Sequence, residues 1–157
     1  MTSCKEYALR LLSFKDRTEN EIRKKLSEKG FVEEEVEEVI VFLKEYGYVN
    51  DLRYAEKFIS DAVKIKKWGH NRIVSELLMR GVEKETILLK MEDSEEDEGE
   101  IITDEIKKRF KNADFSDRRV KMRVYSYFAR RGFSSSDIYK AMNSVCAFED
   151  VETDYGF

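Results

Sequence analysis

The amino-acid sequence predicts an all-α fold built from three tandem three-helix, helix-turn-helix-like repeats. Three observations predict it. The 157 residues include no proline and only seven glycines, so few points in the chain can interrupt a helix. Three of those glycines, Gly30, Gly81 and Gly132, recur at a constant interval of 51 residues. Apolar residues recur around each of them at the same offsets.

The offsets describe one structural unit used three times. A base precedes each glycine (Lys29, Arg80, Arg131) and an apolar residue follows it (Phe31, Val82, Phe133). Four residues earlier stand Leu26, Leu77 and Phe128, and eight earlier Ile22, Ile73 and Val124. Six residues later come Val36, Ile87 and Ile138, and ten later Ile40, Met91 and Met142. Apolar residues four apart share a helix face. A glycine just beyond them supplies the left-handed turn that ends a helix, and a base in the last turn suits the negative end of the helix dipole. Each unit therefore holds a helix ending at glycine, a turn and a further helix. A fixed period of this kind marks a repeat architecture, and stacked units bury a continuous core.

The elements follow in order. In the first unit, Tyr7, Ala8, Leu11 and Leu12 place a helix over 7–14. Thr18-Glu19-Asn20-Glu21 is a capping box that opens the second helix. The third runs over 33–46 and stops at Gly47. In the second unit a helix from Asp51 to about Ile65 carries Tyr54, Ala55, Phe58, Ile59 and Ala62 inward, and Trp68-Gly69 breaks it. A helix to Arg80 and a short one over 83–91 complete that unit. The third unit has helices over 100–110 and 117–131, and Ser134-Ser135-Ser136-Asp137 opens its last, through Ala141 and Met142. The pattern gives about nine helices. The boundaries are 1–49, 50–92 and 93–145, with Gly30, Gly47, Gly81 and Gly132 as helix C-caps and 146–157 as an acidic, disordered tail.

Apolar residues make up 41% and charged residues 39%, enough to bury cores under a densely charged surface. No stretch reaches signal-peptide or membrane-span length, so the expected location is the cytoplasm, with no membrane partner. Cys4 and Cys146 lie far apart without a spacing pattern and read as reduced thiols. The formal charge of −4 conceals blocks. Residues 92–100 carry seven acids and no base, which reads as a solvated linker or an exposed helix start. Residues 101–145 carry 11 bases and five acids. A local block of this kind suits a polyanion whatever the total charge.

No motif for chemistry is legible. His70 is the single histidine and reads as a helix-start or surface residue. No zinc spacing, phosphate loop or nucleophile elbow occurs, and the abundant carboxylates sit in charge-dense helix surfaces. The expectation is a binding protein, not an enzyme, with no catalytic residue, metal or cofactor. Candidate contacts are the bases. Lys64, Lys66, Lys67 and Arg72 gather around Trp68-Gly69, Arg80 ends a helix, and Arg118, Arg119, Lys121, Arg123, Arg130 and Arg131 line another. Arg119, Arg123 and Arg130 share one face, while Val120, Val124, Tyr127 and Phe128 occupy the other as core. Such a set fits a solvated face, a polyanion or an acidic protein. Tyr125, Tyr127 and Tyr139 are read as core or half-buried, with stacking on bases as the alternative.

A family resemblance enters here. The stretch Gly47-Tyr48-Val49-Asn50-Asp51-Leu52-Arg53-Tyr54-Ala55-Glu56-Lys57-Phe58 closely resembles the signature of RecX proteins, the bacterial regulators of the RecA recombinase. Ala8-Leu9 through Leu12, Arg17-Thr18-Glu19, Leu26 and Gly30-Phe31 resemble the family's first repeat. Gly69, Arg72-Ile73, Glu76-Leu77 and Arg80-Gly81-Val82 resemble its second. Arg130-Arg131-Gly132-Phe133-Ser134, Asp137-Ile138 and Ala141 resemble its third. The match spans about residues 7–142 and is weak over 92–112, where the acidic run replaces a typical helix start. The resemblance implies an elongated, curved array of three-helix repeats. It also implies binding of the RecA–single-stranded DNA filament and restraint of its recombinase, ATPase and co-protease activities in DNA repair and the SOS response; the expected state is a monomer. It carries no catalytic site. Two alternatives stay open: direct binding of single- or double-stranded DNA in helix-turn-helix fashion, and an adaptor for a protein unrelated to RecA.

Overall fold

Among the described residues the only regular structure is helical. The computed structural model describes residues 1–94 and 96–154, with side chains through Cys146. The helices are α1 (Cys4–Phe14), α2 (Glu19–Lys29), α3 (Glu33–Glu45), α4 (Asp51–Asp61), α5 (His70–Met79), α6 (Lys84–Glu92), α7 (Glu98–Arg109), α8 (Arg118–Arg130) and α9 (Ser135–Asp154), with a π-helical turn at Ala62–Lys66. The chain forms two compact units. Unit 1 takes residues 1–60 and 74–94, and unit 2 takes residues 61–73 and 95–157.

Unit 1 begins with two capping boxes. Ser3 Oγ accepts from Glu6 N–H, Thr18 Oγ1 accepts from Glu21 N–H, and each glutamate reaches back to its cap. The first of these starts α1 at Cys4, three residues before the position expected from its apolar face. Ala8, Ile22, Leu26, Val36, Val39, Ile40 and Leu43 recur at helical spacing and form the core, closed by Cys4 and Val49. Gly30 ends α2 with φ 101°, and the N–H of Phe31 reaches back to Leu26 O, which closes the helix end. Thr18 is fully buried. Its hydroxyl donates to Arg80 O at 2.6 Å, and the side chain of Asn20 occupies the space where a Cβ on Gly81 would fall. The start of α2 is thus tied to the turn that ends α5.

Unit 2 repeats this joint one period later. Gly69 N–H donates to Arg131 O at 2.7 Å, and Asn71 N–H donates to Gly132 O at 3.2 Å. Gly69 stands 51 residues after Thr18, and Arg131 stands 51 after Arg80. A Cβ on Gly69 would lie 2.5 Å from the Gly132 backbone, and one on Gly132 would overlap the Arg72 backbone. An acid completes each joint. Glu19 N–H donates to Asp51 Oδ1 at 2.9 Å in unit 1, and His70 N–H donates to Glu98 Oε1 at 2.6 Å in unit 2. These bonds satisfy helix-start N–H groups that have no intrahelical partner.

Four further expectations change. The helix expected to run to Ile65 and break at Trp68-Gly69 widens into a π turn and ends at Lys67, which takes φ 56°. No glycine is available at that point, so a lysine adopts the left-handed conformation, while Gly69 serves close backbone approach instead. Helix α7 starts two residues early because Asp97 caps it, accepting from Gly99 N–H at 2.8 Å. The acidic run is therefore partly structural: Glu98 is the cap acceptor for α5. Helix α9 continues to Asp154, taking in residues assigned to the disordered tail, because nothing between Met142 and Asp154 breaks a helix. The last three positions, 155–157, lie outside the described residues. Tyr139, read as core or half-buried, is 52% exposed.

Candidate functional site

Helix α8 in unit 2 carries a surface of one sign. It holds Arg118, Arg119, Lys121, Arg123 and Arg130 and no acid. Its apolar face is fixed first. Val124 and Phe128 are buried, and Phe128 meets Phe110 and Phe133 edge to face, with Tyr127 beside them. That anchoring turns the opposite face outward, and all five cations are exposed. None of them forms an ion pair among the described residues.

Their position along the helix matters as much as their number. Arg118, Arg119 and Lys121 sit in the first turns, at the positive end of the helix dipole. A cation there costs about 0.3–1 kcal/mol where an acid would gain as much. Only the cap residue Asp117 opposes this, accepting from Arg119 N–H at 2.9 Å. Helix stability does not explain these bases, and their arrangement fits an exposed, solvated face or a contact with an anion.

Aromatic surface lies within the basic field. Arg118, Met122 and Tyr125 fall on one row of α8, with Lys121 to one side and Arg119, Arg123 and Arg130 to the other. Tyr125 stacks on Tyr139 of α9 with ring centroids 5.1 Å apart, and its hydroxyl lies 2.6 Å from Ser135 Oγ. Met122 is 55% exposed. The pair presents an outward ring face beside cations, the composition that nucleobase stacking needs. The sequence offered this only as an alternative, since nothing in the spacing says that Tyr125 and Tyr139 meet.

The other candidates separate into two groups. Lys64 is exposed on the π turn, and Lys67 is half-buried where the turn ends. Lys66 Nζ lies 4.4 Å and the Arg72 guanidinium 4.0 Å from the Trp68 ring centroid. Arg131 donates to Lys66 O at 2.8 Å and covers the Tyr127 ring at 4.4 Å. Arg72 and Arg131 therefore hold unit 2 together. Arg80 belongs to unit 1, where it binds Glu76 at 2.7 Å and covers Phe58. Its head group is engaged within the fold. The structure thus gathers the candidates mainly on α8 and gives Arg72, Arg80 and Arg131 packing roles.

Other chemistry is sparse. Among the described residues no three His, Cys, Asp or Glu side chains converge as a metal site, no helix is long and apolar enough to cross a membrane, and no disulfide forms. Burial pushes the Cys4 thiol up, assisted by Glu35, which keeps it in its unreactive form. Burial raises the Glu98 carboxyl, opposed by its hydrogen bond from His70 N–H and reinforced by Asp137.

Comparison with known proteins bears on the same regions. Family models described as the first, second and third three-helix domains of RecX match residues 4–43, 50–88 and 95–142. A "Regulatory protein RecX" of Caldanaerobacter subterraneus is 39% identical over 141 residues, covering 88% of this chain and 68% of that protein. One from Vibrio vulnificus is 31% identical, covering 91% and 93%. One from Clostridium perfringens is 32% identical, and this chain spans only 66% of its length. The crystal structure of RecX from Lactobacillus salivarius superposes with a TM-score of 0.76 at 20% identity, covering 92% of this chain and 95% of that one. A second crystal structure, titled as regulatory protein RecX, gives 0.75 at 26% identity, covering 90% and 71%.

Proposed function

The chain belongs to the RecX family of regulatory proteins, and from that premise we propose that it binds the RecA–single-stranded DNA filament and lowers its recombinase, ATPase and co-protease activities. The observation that carries this reading is the set of five exposed cations on α8, without an ion pair among the described residues, three of them where the helix dipole opposes them. Phosphates exposed on the filament's strand, or acids on its protein surface, supply the missing counter-charge. The chain acts as a monomer in the cytoplasm, without cofactor or catalytic step. Binding across the filament blocks strand exchange or favours ends that shed subunits.

The test is RecA ATP hydrolysis on single-stranded DNA with this protein titrated in well below one copy per RecA. A fall in rate at such ratios supports filament binding. The variant Arg119→Glu/Arg123→Glu/Arg130→Glu should lose that effect while its circular dichroism stays helical. Full inhibition by the variant would remove α8 from the mechanism.

Direct binding of naked DNA is a second reading, favoured by the Tyr125–Tyr139 stack among the cations. Salt-sensitive binding to naked DNA with no effect on RecA would put it first. No effect in either assay would leave an adaptor for another protein.

A further inference from the structure

Unit 1 holds a separate cationic cluster that the α8 surface does not explain. It lies in a cleft of about 270 Å³ lined by Arg17, Arg53 and Lys57, with Tyr48, Tyr54 and Asn50, and Asp16 as its one acid. Local structure brings these together. Arg17 precedes the buried cap Thr18, so the capping box fixes its backbone. Arg53 and Lys57 are four apart on α4 and share a face. Tyr48 comes from the turn after α3, whose Gly47 carbonyl accepts from Arg53 at 2.8 Å.

The charges in this cleft are poorly balanced. Lys57 meets Asp16 only at 3.8 Å, with both side chains 70% exposed. Arg17 is half-buried, and its guanidinium donates to no acceptor and pairs with no carboxylate among the described residues; its Nε–H is sealed from solvent without a partner. A partly desolvated cation without a counter-ion costs free energy that an incoming anion recovers. An aromatic shelf adjoins the cleft. Tyr48 stacks on Phe42 at 6.1 Å, Tyr46 meets Phe42 in a tilted contact at 4.8 Å, and Tyr46 and Tyr48 are 66% and 52% exposed.

The surroundings decide which anion fits. Unit 1 carries 14 bases against 18 acids, a net of −4, and α3 alone holds six acids and one base. A nucleic-acid strand needs a continuous basic track, which a unit of net charge −4 does not offer around three cations. A single carboxylate flanked by apolar residues meets three cations and an aromatic surface.

We propose that this cleft is an oxyanion pocket that takes one carboxylate side chain of a protein partner, with the partner's neighbouring apolar residues on Tyr46 and Tyr48. Arg17 donates to the carboxylate through its remaining N–H groups, Lys57 turns from Asp16 to the incoming charge, and Arg53 borders it while held by Gly47.

The experiment observes the arginine side-chain N–H signals of the nitrogen-15-labelled full chain by NMR. The probes are N-acetyl-phenylalanyl-glutamyl amide, its glutaminyl counterpart and a deoxythymidine 20-mer. The glutamyl peptide should move the Arg17 and Arg53 signals saturably and bind about tenfold more tightly than the glutaminyl one, the value of a charged hydrogen-bond partner. Lys57→Ala, a change at an exposed position, should weaken it several-fold with the helical spectrum unchanged. Equal binding of both peptides, no saturable shift, or stronger shifts of these signals by the oligonucleotide would overturn the proposal. RecA is absent from the tube, so failure here leaves the filament reading intact, and failure of the ATPase assay leaves this pocket intact.

Discussion

Helices α3 and α8 are both 13 residues long, and their charges are nearly opposite. Helix α3 in unit 1 opens with Glu33, Glu34 and Glu35 and has Lys44 in its last turn. Every one of those charges sits where the helix dipole favours it. One of its acids also finds a partner: Arg23 holds Glu37 through two N–H donors at 2.9 and 3.1 Å, which keeps that carboxyl below its usual range. Helix α8 in unit 2 opens with Arg118, Arg119 and Lys121 and carries no acid. The first helix is accounted for by its own stability. The second is stable in spite of its charges, held by Val124 and Phe128 in the core. A charge that folding explains needs no partner, whereas a charge that folding opposes points to one.

The largest test of the contrast between units lies at their glycines. Gly30 and Gly132 both have positive φ, 101° and 94°. Space around Gly30 is open, while a Cβ on Gly132 would strike the Arg72 backbone. Gly132→Ala should cost more than about 3 kcal/mol, and Gly30→Ala about 1 kcal/mol, in urea unfolding followed by circular dichroism. Equal losses would mean that the α5–α8 joint is loose.

Charge exchange at the helix starts comes next in size. Arg118→Glu/Arg119→Glu should raise stability by about 0.5–2 kcal/mol while weakening partner binding, and Glu34→Lys/Glu35→Lys should lower it by a similar amount. Thermal melts at low salt read both. A loss of stability in the α8 variant would show that its arginines serve the fold and would dissolve the contrast. Removing the cap with Asp117→Ala should cost about 1 kcal/mol, since the first turn then has neither side-chain acceptor nor negative charge.

The smallest expected effect is a pH dependence in unit 1. Burial raises the Asp51 carboxyl above its ordinary 3.8, reinforced by the charge of Glu19 and opposed by the hydrogen bond from Glu19 N–H. A carboxyl raised in the folded state favours folding when protonated, and that contribution is lost as pH rises through its folded value. Asp51→Asn keeps an acceptor for Glu19 N–H and removes the ionisation. It should therefore be slightly more stable than the parent at pH 7, with the gain vanishing below about pH 3.8. A gain that persists at pH 3 would locate the cause elsewhere.

Much of the frame was readable along the chain. The 51-residue spacing of Gly30, Gly81 and Gly132 marked three helix ends, and Thr18 with Glu21 marked a start. Both are local chemistry: a backbone that needs positive φ, and N–H groups that need acceptors within three residues. Bases on α8 were readable too, because a helix with apolar residues on one side must turn its charges to the other. The π turn was not, since Lys67 carries no signature of left-handed backbone. Nor was the division of labour among the bases, in which Arg72, Arg80 and Arg131 pack while the α8 set forms no ion pair among the described residues.

By itself, then, the sequence determined the approximate helix count, the period, the helix ends at Gly30, Gly81 and Gly132 and the sign of the exposed face of α8, because these follow from neighbours three or four residues away. Tertiary structure alone decided that Glu98 caps α5, that Tyr125 meets Tyr139, that Gly69 lies against Gly132, and that Arg17 joins Arg53 and Lys57 around one cleft. Each of these joins residues at least 14 positions apart. Such pairs are set by how helices pack, a property of faces and volumes that no local pattern encodes.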